Sequence, residues 1–424
     1  MSLYLTFTFY KTDNTIQLKK NIGLLLLLVV MNGFTVLLAQ TATEFNNQGL
    51  IKFKAKNYAA ALLDFNKATA LDAKNEKAFH NRGLVKYALK DFTGSISDHT
   101  KAIELNAAYS NAYNDRGMAY NRLNDYAAAL LDFDKAIAID PAYYQAFKNR
   151  ASLNYAAKNE AAADKDYATC ITLKPTDADG YVGRGSIKSN QNKYAEAIVF
   201  YDQAIALEPN LVIAVLNRGN AKFASKDVAG ALADFLKVTT LQPNNANVYF
   251  NLGVIYTGKN KSAEAIAAFK KYNSFLPNEW PGYKNMADVF YQQLAKYDSS
   301  EFYYNKAWQL NKKDKDIIER LAYSMLNQKK IPDAVAMFKN QIAFLPQDPW
   351  GYYNLGAALS VGKQPEESIK NLDMALDKRM VELPFWETDK NLNNVRMLGD
   401  FKNMLKKYFN KDILAKYPNL FGGF

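Results

Sequence analysis

The chain of 424 residues carries a formal net charge of +11 at pH 7, and its composition, 49% hydrophobic and 22% charged, is that of a folded protein. Its single cysteine and two histidines exclude an internal disulfide and a metal site built from several Cys and His ligands, and no cofactor is expected. The basic residues do not form a cluster with interleaved aromatic side chains, so nucleic acid is not an expected partner.

Residues 1–39 are interpreted as an export signal or a membrane anchor. Lys19 and Lys20 precede an apolar run over residues 22–39, which is the order of a secretory signal. This order predicts cleavage between Ala39 and Gln40 and a bacterial protein that is periplasmic or secreted. Leu37 stands where a signal usually has a small residue, and the run is near the lower length limit for a spanning helix. The alternative is therefore an uncleaved inner-membrane anchor with the rest of the chain facing the periplasm.

After this segment the sequence repeats with a period of 34 residues. Proline, glycine and alanine each recur at this spacing in different phases, and three independent series of one period do not arise by chance. The prolines are Pro141, Pro175, Pro209, Pro243 and Pro277. The glycines are Gly49, Gly83, Gly117, Gly185, Gly219 and Gly253. The alanines are Ala61, Ala129, Ala163, Ala197, Ala231 and Ala265.

The period and the residue types resemble the tetratricopeptide repeat (TPR) family. The family pattern of aromatic, Leu-Gly, Tyr, Ala, aromatic, Ala and Pro is matched in one repeat by Tyr113, Arg116, Gly117, Tyr120, Ala129, Phe133, Ala136 and Pro141, with Arg116 in place of Leu. The resemblance implies an all-α, right-handed superhelical solenoid of about ten helix-turn-helix repeats over residues 42–382. A C-terminal capping helix and tail over residues 383–424 would follow it. The first segment also resembles those of exported Bacteroidetes proteins.

Each recurring position has a packing reason, when position 1 is the first residue of a repeat. Small residues at positions 8 and 20 let the two helices approach closely, an aromatic ring at position 24 fills the space between them, and proline at position 32 ends the second helix. The eighth repeat is one residue longer, and the extra residue is expected in its first helix or near residues 294–299. The repeats begin at Ala42, Glu76, Ser110, Tyr144, Ala178, Val212, Ala246, Trp280, Lys315 and Pro349.

The C-terminal segment is predicted to contain a loop over residues 383–390, an amphipathic helix over residues 393–408 and an irregular tail over residues 417–424. The helix would present Val395, Leu398, Phe401 and Leu405 on one face. Such a helix covers the apolar face that the last repeat would otherwise expose.

Arginine at position 7 and aspartate at position 23 form two further series, which we interpret as a ladder of partly buried ion pairs. Pairs within a repeat (Arg82 with Asp98) and between repeats (Arg82 with Asp64) fit the spacing equally well. The arginines are Arg82, Arg116, Arg150, Arg184 and Arg218, and the aspartates are Asp64, Asp98, Asp132, Asp166 and Asp234.

Asparagine recurs at position 6, which faces the inner groove in TPR proteins. A similar asparagine ladder holds a peptide backbone in the TPR arm of the enzyme that attaches N-acetylglucosamine to proteins. An amide can both donate to and accept from a peptide group, so the resemblance implies peptide binding, whereas local capping is the other interpretation. The candidate amides are Asn81, Asn149, Asn217, Asn251 and Asn285, with Asn47, Asn354 and Asp115 at the same position.

The groove is expected to be polar in the third and fourth repeats and apolar in the sixth and seventh. The apolar residues either contact a partner or pack against neighbouring helices. The polar candidates are Asn111, Asn114, Asn121, Arg122, Lys148 and Tyr155. The apolar candidates are Ile213, Leu216, Phe223, Phe250 and Val254.

The sequence therefore favours a non-catalytic scaffold that binds a protein partner, either a peptide segment or a helix, in its concave groove. A membrane-anchored assembly or regulatory subunit of an envelope complex is the alternative. An enzyme is not expected, because no catalytic motif stands outside the repeat pattern. His80, His99 and Cys170 are interpreted as packing residues.

N-terminal sequencing of the exported protein distinguishes the signal from the anchor. We expect the mature chain to begin at Gln40, because the apolar run ends at Ala39. A membrane-bound chain that still contains residues 22–39 would contradict cleavage and support the anchored alternative.

Overall fold

The computed structural model describes residues 41–420, and every regular element in this range is helical. The expected all-α class is thereby confirmed. The expectations for residues 1–39 lie outside the described residues, as do those for residues 421–424. No helix in residues 41–420 is long and apolar enough to cross a membrane.

The chain divides into two compact units, and the first ends at Asn192. Its described residues, 41–192, form four helical hairpins and one further helix, in which helices of 13 and 14 residues alternate. The hairpins are α1 Ala42–Lys54 with α2 Tyr58–Leu71, α3 Glu76–Ala88 with α4 Phe92–Leu105, α5 Ser110–Arg122 with α6 Tyr126–Ile139, and α7 Tyr144–Ala156 with α8 Glu160–Leu173; α9 Ala178–Asn190 follows.

The second unit begins at Lys193 with α10 Tyr194–Leu207 and continues in the same alternation. Its hairpins are α11 Val212–Ala224 with α12 Val228–Leu241, α13 Ala246–Gly258 with α14 Ser262–Phe275, α15 Trp280–Gln292 with α16 Tyr297–Leu310, α17 Lys315–Asn327 with α18 Ile331–Phe344, and α19 Pro349–Val361 with α20 Pro365–Asp377. The C-terminal segment forms α21 Leu383–Thr388, a 3-10 turn at Lys390–Leu392, α22 Gly399–Tyr408, α23 Lys411–Leu414 and a 3-10 turn at Pro418–Leu420.

The turn inside each described hairpin contains one residue with positive φ, and in the α5–α6 hairpin a side-chain cap follows it. Asn124 adopts a left-handed conformation with φ of 63°, which reverses the chain direction after α5. The side chain of Asp125 then accepts a hydrogen bond from the N–H of Ala128 and caps the first turn of α6. The second helix of each described repeat therefore begins after a backbone signal that lies within its own repeat.

The extra residue of the eighth repeat lies in the turn between α15 and α16, over residues 293–296. Ala295 has the positive φ there, at 49°, and the N–H of Lys296 donates to the carbonyl of Phe290 over 2.9 Å. Both helices keep the usual lengths of 13 and 14 residues. The turn absorbs the insertion, so the buried faces of α15 and α16 are unaffected.

Close contact between a glycine and an aromatic ring holds the two helices of a hairpin together. A Cβ atom at Gly117 would lie 2.8 Å from Cε1 of Phe133, which is too short for any real side chain. Phe133 is almost fully buried in this position, as expected for the ring at position 24. The same contact recurs as Gly49 with Phe65, Gly83 with His99, Gly219 with Phe235 and Gly253 with Phe269.

The arginine at position 7 pairs with the aspartate at position 23 of its own repeat. The guanidinium of Arg116 donates from Nε to Oδ2 and from Nη2 to Oδ1 of Asp132, each over 2.8 Å, and Asp132 is 5% exposed. This two-pronged geometry is the strongest form of an Arg–carboxylate pair. The structure thus decides between the two pairings that the spacing allowed, with the same arrangement at Arg82–Asp98, Arg150–Asp166 and Arg218–Asp234.

The third guanidinium nitrogen of each arginine reaches the second helix of the preceding repeat. Nη1 of Arg116 donates to Thr100 over 3.1 Å, and Nη1 of Arg150 donates to Asp134 over 2.5 Å. Arg184 has no aspartate at position 23 of its repeat, and its guanidinium instead contacts Asp164 of the preceding second helix. One side chain therefore connects three helices.

The C-terminal segment differs from the prediction in two places. Residues 383–388 form α21 rather than a loop, because Pro384 lies in the first helical turn, where its missing N–H costs nothing, and Trp386 is fully buried. The helix predicted over residues 393–408 begins only at Gly399. The residues before it form a turn, in which the guanidinium of Arg396 donates to the carbonyls of Trp386 and Asp389 over 3.0 and 2.6 Å.

Asp132→Ala should lower the free energy of unfolding by about 1–3 kcal/mol, because it leaves the guanidinium of Arg116 without its buried partner. Chemical denaturation monitored by circular dichroism measures this change. Asp134→Ala is the matched control, since Asp134 pairs with Arg150 at the surface with its side chain 57% exposed, and should cost at most about 1 kcal/mol. Equal effects of the two variants would contradict a structural role for the buried pair.

His99→Phe should stabilise the protein at pH 7, and by more at pH 5. His99 is fully buried, and neither ring nitrogen has a hydrogen-bond partner among the described residues. Burial, reinforced by His80, Arg116 and Lys86, holds the pKa of His99 well below its usual value. Protonation therefore favours the unfolded chain, and stability is lost as the pH falls below about 6.5.

Denaturation at several pH values tests this prediction. The gain of His99→Phe should increase between pH 7 and pH 5, and the reciprocal Phe133→His should introduce a new loss of stability in acid. A gain that does not change with pH would contradict the assigned pKa shift.

Candidate functional site

In the first unit, two of the five candidate amides connect neighbouring first helices. The Nδ2 group of Asn81 donates to Oδ1 of Asn46 over 2.9 Å, and that of Asn149 donates to Oδ1 of Asn114 over 2.8 Å. Each donor is at position 6 and each acceptor is at position 5 of the preceding repeat. Asn81 retains its carbonyl oxygen and one N–H for another group, whereas the carbonyl oxygen of Asn149 also accepts from Gln145 over 3.3 Å.

In the second unit the other three candidates differ from one another. Asn251 donates to Oδ1 of Asn220 over 2.9 Å, whereas Asn285 donates to the carbonyl of Pro281 in its own helix over 2.8 Å. The side chain of Asn217 is half-buried, and its amide makes no hydrogen bond to another described residue. Asn354, at the same position of the last repeat, is 2% exposed and accepts from the hydroxyl of Tyr323. The position thus serves helix-to-helix bonding in some repeats and leaves an unbonded amide in one.

The apolar candidates separate into exposed and packed side chains. Ile213 and Phe223 on α11 are 48% and 39% exposed. Leu216 is partly buried against the core around Phe235. Because these three residues are separated by three and seven positions, they lie along one face of α11.

The two apolar candidates on α13 are both used in packing within the second unit. The ring centroid of Phe250 lies 5.9 Å from that of Phe269 and 5.2 Å from that of Tyr272. Val254 contacts the same buried cluster. Truncation of either side chain would affect the core as well as the surface.

A histidine–carboxylate group lies on the first helices of the second and third repeats. Nε2 of His80 is 3.6 Å from Oδ2 of Asp115, and the His80 ring lies against Tyr109 and His99. Burial lowers the pKa of His80 to about 4 and raises the pKa of Asp115 to about 6. The imidazole of His80 is therefore uncharged at neutral pH.

No three His, Cys, Asp or Glu side chains within residues 41–420 are grouped so that they could hold a metal ion. Cys170 is buried, and burial raises the pKa of its thiol to about 12. It lies against the carbonyl of Tyr144.

A small pocket between α7 and α9 was not predicted from the sequence. It contains Lys148 and Tyr155, which were groove candidates, but also Ser152, Tyr167 and Gly183, which were not. Gly183 occupies position 6, where most repeats have asparagine. That departure from the repeat pattern was the available signal.

Family models match three regions of the chain. A tetratricopeptide repeat model matches residues 110–143, a second one matches residues 178–211 and 246–275, and a TPR repeat model matches residues 219–260. The first match corresponds to α5 and α6. No curated protein matches the chain.

Several solved structures are similar to part of the chain. A TPR protein from Parabacteroides merdae is 19% identical with a TM-score of 0.46, over 59% of this chain and all of that one. The C-terminal part of a TPR repeat-containing protein from Cytophaga hutchinsonii is 19% identical with a TM-score of 0.46, over 57% of this chain and 98% of that one. YrrB, described as a TPR protein with an unusual peptide-binding site, is 18% identical with a TM-score of 0.38, over 43% and 95%.

The 34-residue period, the alternating helices of 13 and 14 residues, the glycine–ring contacts and the matches to repeat models agree with one another. The chain contains tetratricopeptide repeats.

Proposed function

We propose that the protein is a non-catalytic scaffold that binds a segment of a partner protein on the first helices of its second unit. The observation that carries the proposal is the apolar face of α11, on which Ile213 and Phe223 are 48% and 39% exposed. Exposed apolar side chains in such an array favour contact with another protein.

Hydrogen-bonding groups lie on the same pair of helices. Asn220 is one turn from Leu216 and Phe223 on α11, and it accepts a hydrogen bond from Asn251 on α13. After that bond is formed, Asn251 keeps its carbonyl oxygen and one N–H, and Asn220 keeps both N–H groups. Asn217 is also unbonded among the described residues. These amides suit the peptide groups of an extended segment.

The free energy that such contacts contribute is sufficient for a moderate affinity. Full burial of a medium apolar side chain contributes about 1.5–3 kcal/mol. Two apolar side chains of the partner, packed against Ile213 and Phe223, would together with amide contacts offset the cost of association. The resulting Kd would be micromolar, which corresponds to about −8 kcal/mol. The sequence-based candidates Asn217, Asn251, Leu216 and Phe223 belong to this surface. Phe250 and Val254 would support it from beneath.

Export to the periplasm is part of the proposal and rests on the order of residues in the first 39 positions. If those residues are retained as an anchor, the same surface would belong to a subunit held at the inner membrane. N-terminal sequencing separates the two forms.

The double variant Ile213→Ala and Phe223→Ala should weaken binding of the partner at least tenfold, or about 1.4 kcal/mol. It should leave unfolding almost unchanged, because both side chains are exposed. A photo-crosslinking residue placed at position 213 in cells identifies the partner, and its purified segment is then titrated by calorimetry.

Leu236→Ala provides the matched control. Leu236 is 45% exposed on α12, a second helix, and lies outside the proposed surface. Unchanged affinity of the folded double variant, or an equal loss in the control, would show that the partner binds elsewhere.

A further inference from the structure

The pocket between α7 and α9 arises from two departures from the repeat pattern and the tyrosine that lies between them. In the fourth repeat, position 8 is Ala151 instead of the usual glycine, and position 24 is Tyr167, a tyrosine as in the next repeat. In the fifth repeat, position 6 is Gly183 instead of asparagine. The added methyl at position 151 takes the space that a ring uses in other repeats.

Tyr167 consequently lies against the next first helix. A Cβ atom at Gly183 would be 2.5 Å from Cζ of Tyr167, so no residue larger than glycine fits at this position above the phenol. The ring is 7% exposed, and its hydroxyl lies 3.2 Å from Oγ of Ser152 on α7. The missing side chain at position 183 opens a pocket of about 250 Å³ above this hydroxyl.

The hydroxyl hydrogens of Ser152 and Tyr167 are already engaged. Oγ of Ser152 donates to the carbonyl of Lys148 over 2.9 Å, so the contact between Ser152 and Tyr167 is one in which the phenol donates. The oxygen of Tyr167 then presents lone pairs to the pocket. Burial raises the pKa of Tyr167, so the phenol stays protonated.

The rim of the pocket carries one charge of each sign. Lys148 on α7 forms an ion pair with Asp179 on α9, and their side chains are 30% and 48% exposed. This pair replaces the Asn–Asn bond found between neighbouring first helices elsewhere in the unit. A ligand in the pocket therefore meets one ammonium donor and one carboxylate acceptor, with no net charge.

We propose that this pocket binds a carboxamide, the side-chain group of glutamine or asparagine. A carboxamide offers two N–H donors and one carbonyl acceptor. Its NH₂ group matches the oxygens of Tyr167 and Asp179, and its carbonyl matches the ammonium of Lys148. A carboxylate has no donor and is repelled by Asp179, whereas an ammonium group is repelled by Lys148 and has no acceptor of its own.

This site is independent of the surface proposed on α11. The carboxamide can come from a residue within a protein chain or from the free amino acid. Both present the same group, and the probes below distinguish them.

The test is a titration of the ¹⁵N-labelled full chain, followed by amide chemical shifts. The probes are acetyl-Gly-Gln-Gly-amide, free L-glutamine and their glutamate counterparts. We expect saturable shifts at Ser152, Gly183 and Ser186 with at least one glutamine probe, and at least tenfold weaker binding of its glutamate counterpart. Saturation by the peptide alone indicates a protein source, and saturation by the free amino acid alone indicates a metabolite source.

Tyr167→Phe should weaken binding of the glutamine probe at least fivefold, because it removes the hydroxyl and keeps the ring that other repeats have at this position. Tyr201→Phe, the same change at position 24 of the next repeat, is the matched control and should have no effect. Ser152→Ala is the second variant, in case Tyr167→Phe alters the circular dichroism spectrum.

Three results would overturn the proposal. One is the absence of saturable shifts at the pocket with both glutamine probes. Another is equal affinity for glutamine and glutamate. The third is unchanged affinity in folded Tyr167→Phe and Ser152→Ala variants.

Discussion

In the second to sixth repeats, the arginine at position 7 is the residue on which the arrangement of the helices depends. Arg116 lies on α5, pairs through two nitrogens with Asp132 on α6, and reaches Thr100 on α4 with the third. An aliphatic residue, as in the common family pattern, would give only non-directional contact. The guanidinium adds a defined orientation, because its planar donors are satisfied only when all three helices lie at the correct positions. The same geometry in the second unit at Arg218, with Asp202 and Asp234, shows that it belongs to the repeat.

Because this arginine connects three helices, residues at other positions can vary in a coordinated way. Lysine at position 11 supplements the pair where it is present, as Lys86 does at 2.8 Å from Asp98. In the first repeat, which has glutamine at position 7, Lys52 alone pairs with Asp64. Ala151, Tyr167 and Gly183 form another coordinated set, in which a larger residue on one helix is accommodated by the loss of a side chain on another.

The sequence was sufficient to predict the helices and the starts of the repeats, because each boundary is encoded locally by a cap, a turn residue or a proline. It could not choose the partner of each arginine, since both pairings fit the repeat spacing equally well and only the distance between helices decides. It also located the asparagines at position 6, but their mutual hydrogen bonds depend on how closely first helices approach. Residues 383–390 were predicted to form a loop, although Pro384 in the first turn of α21 favours a helix.

The candidate surface was predicted less well than the fold for a related reason. Phe250 and Phe223 have the same residue type on corresponding helices, yet Phe250 packs against Phe269 and Tyr272 whereas Phe223 is exposed. Exposure depends on what a neighbouring repeat places above a side chain. A period of 34 residues fixes the position along the helix, but the identity of the covering residue varies from repeat to repeat.

The longer turn between α15 and α16 has a consequence for how such a chain can evolve. A residue inserted within a helix would rotate every later side chain by about 100° and move the apolar stripe out of the core. Here the insertion lies at 293–296, and the following helices retain their lengths and buried faces. Errors of gene duplication that fall in these turns are therefore tolerated.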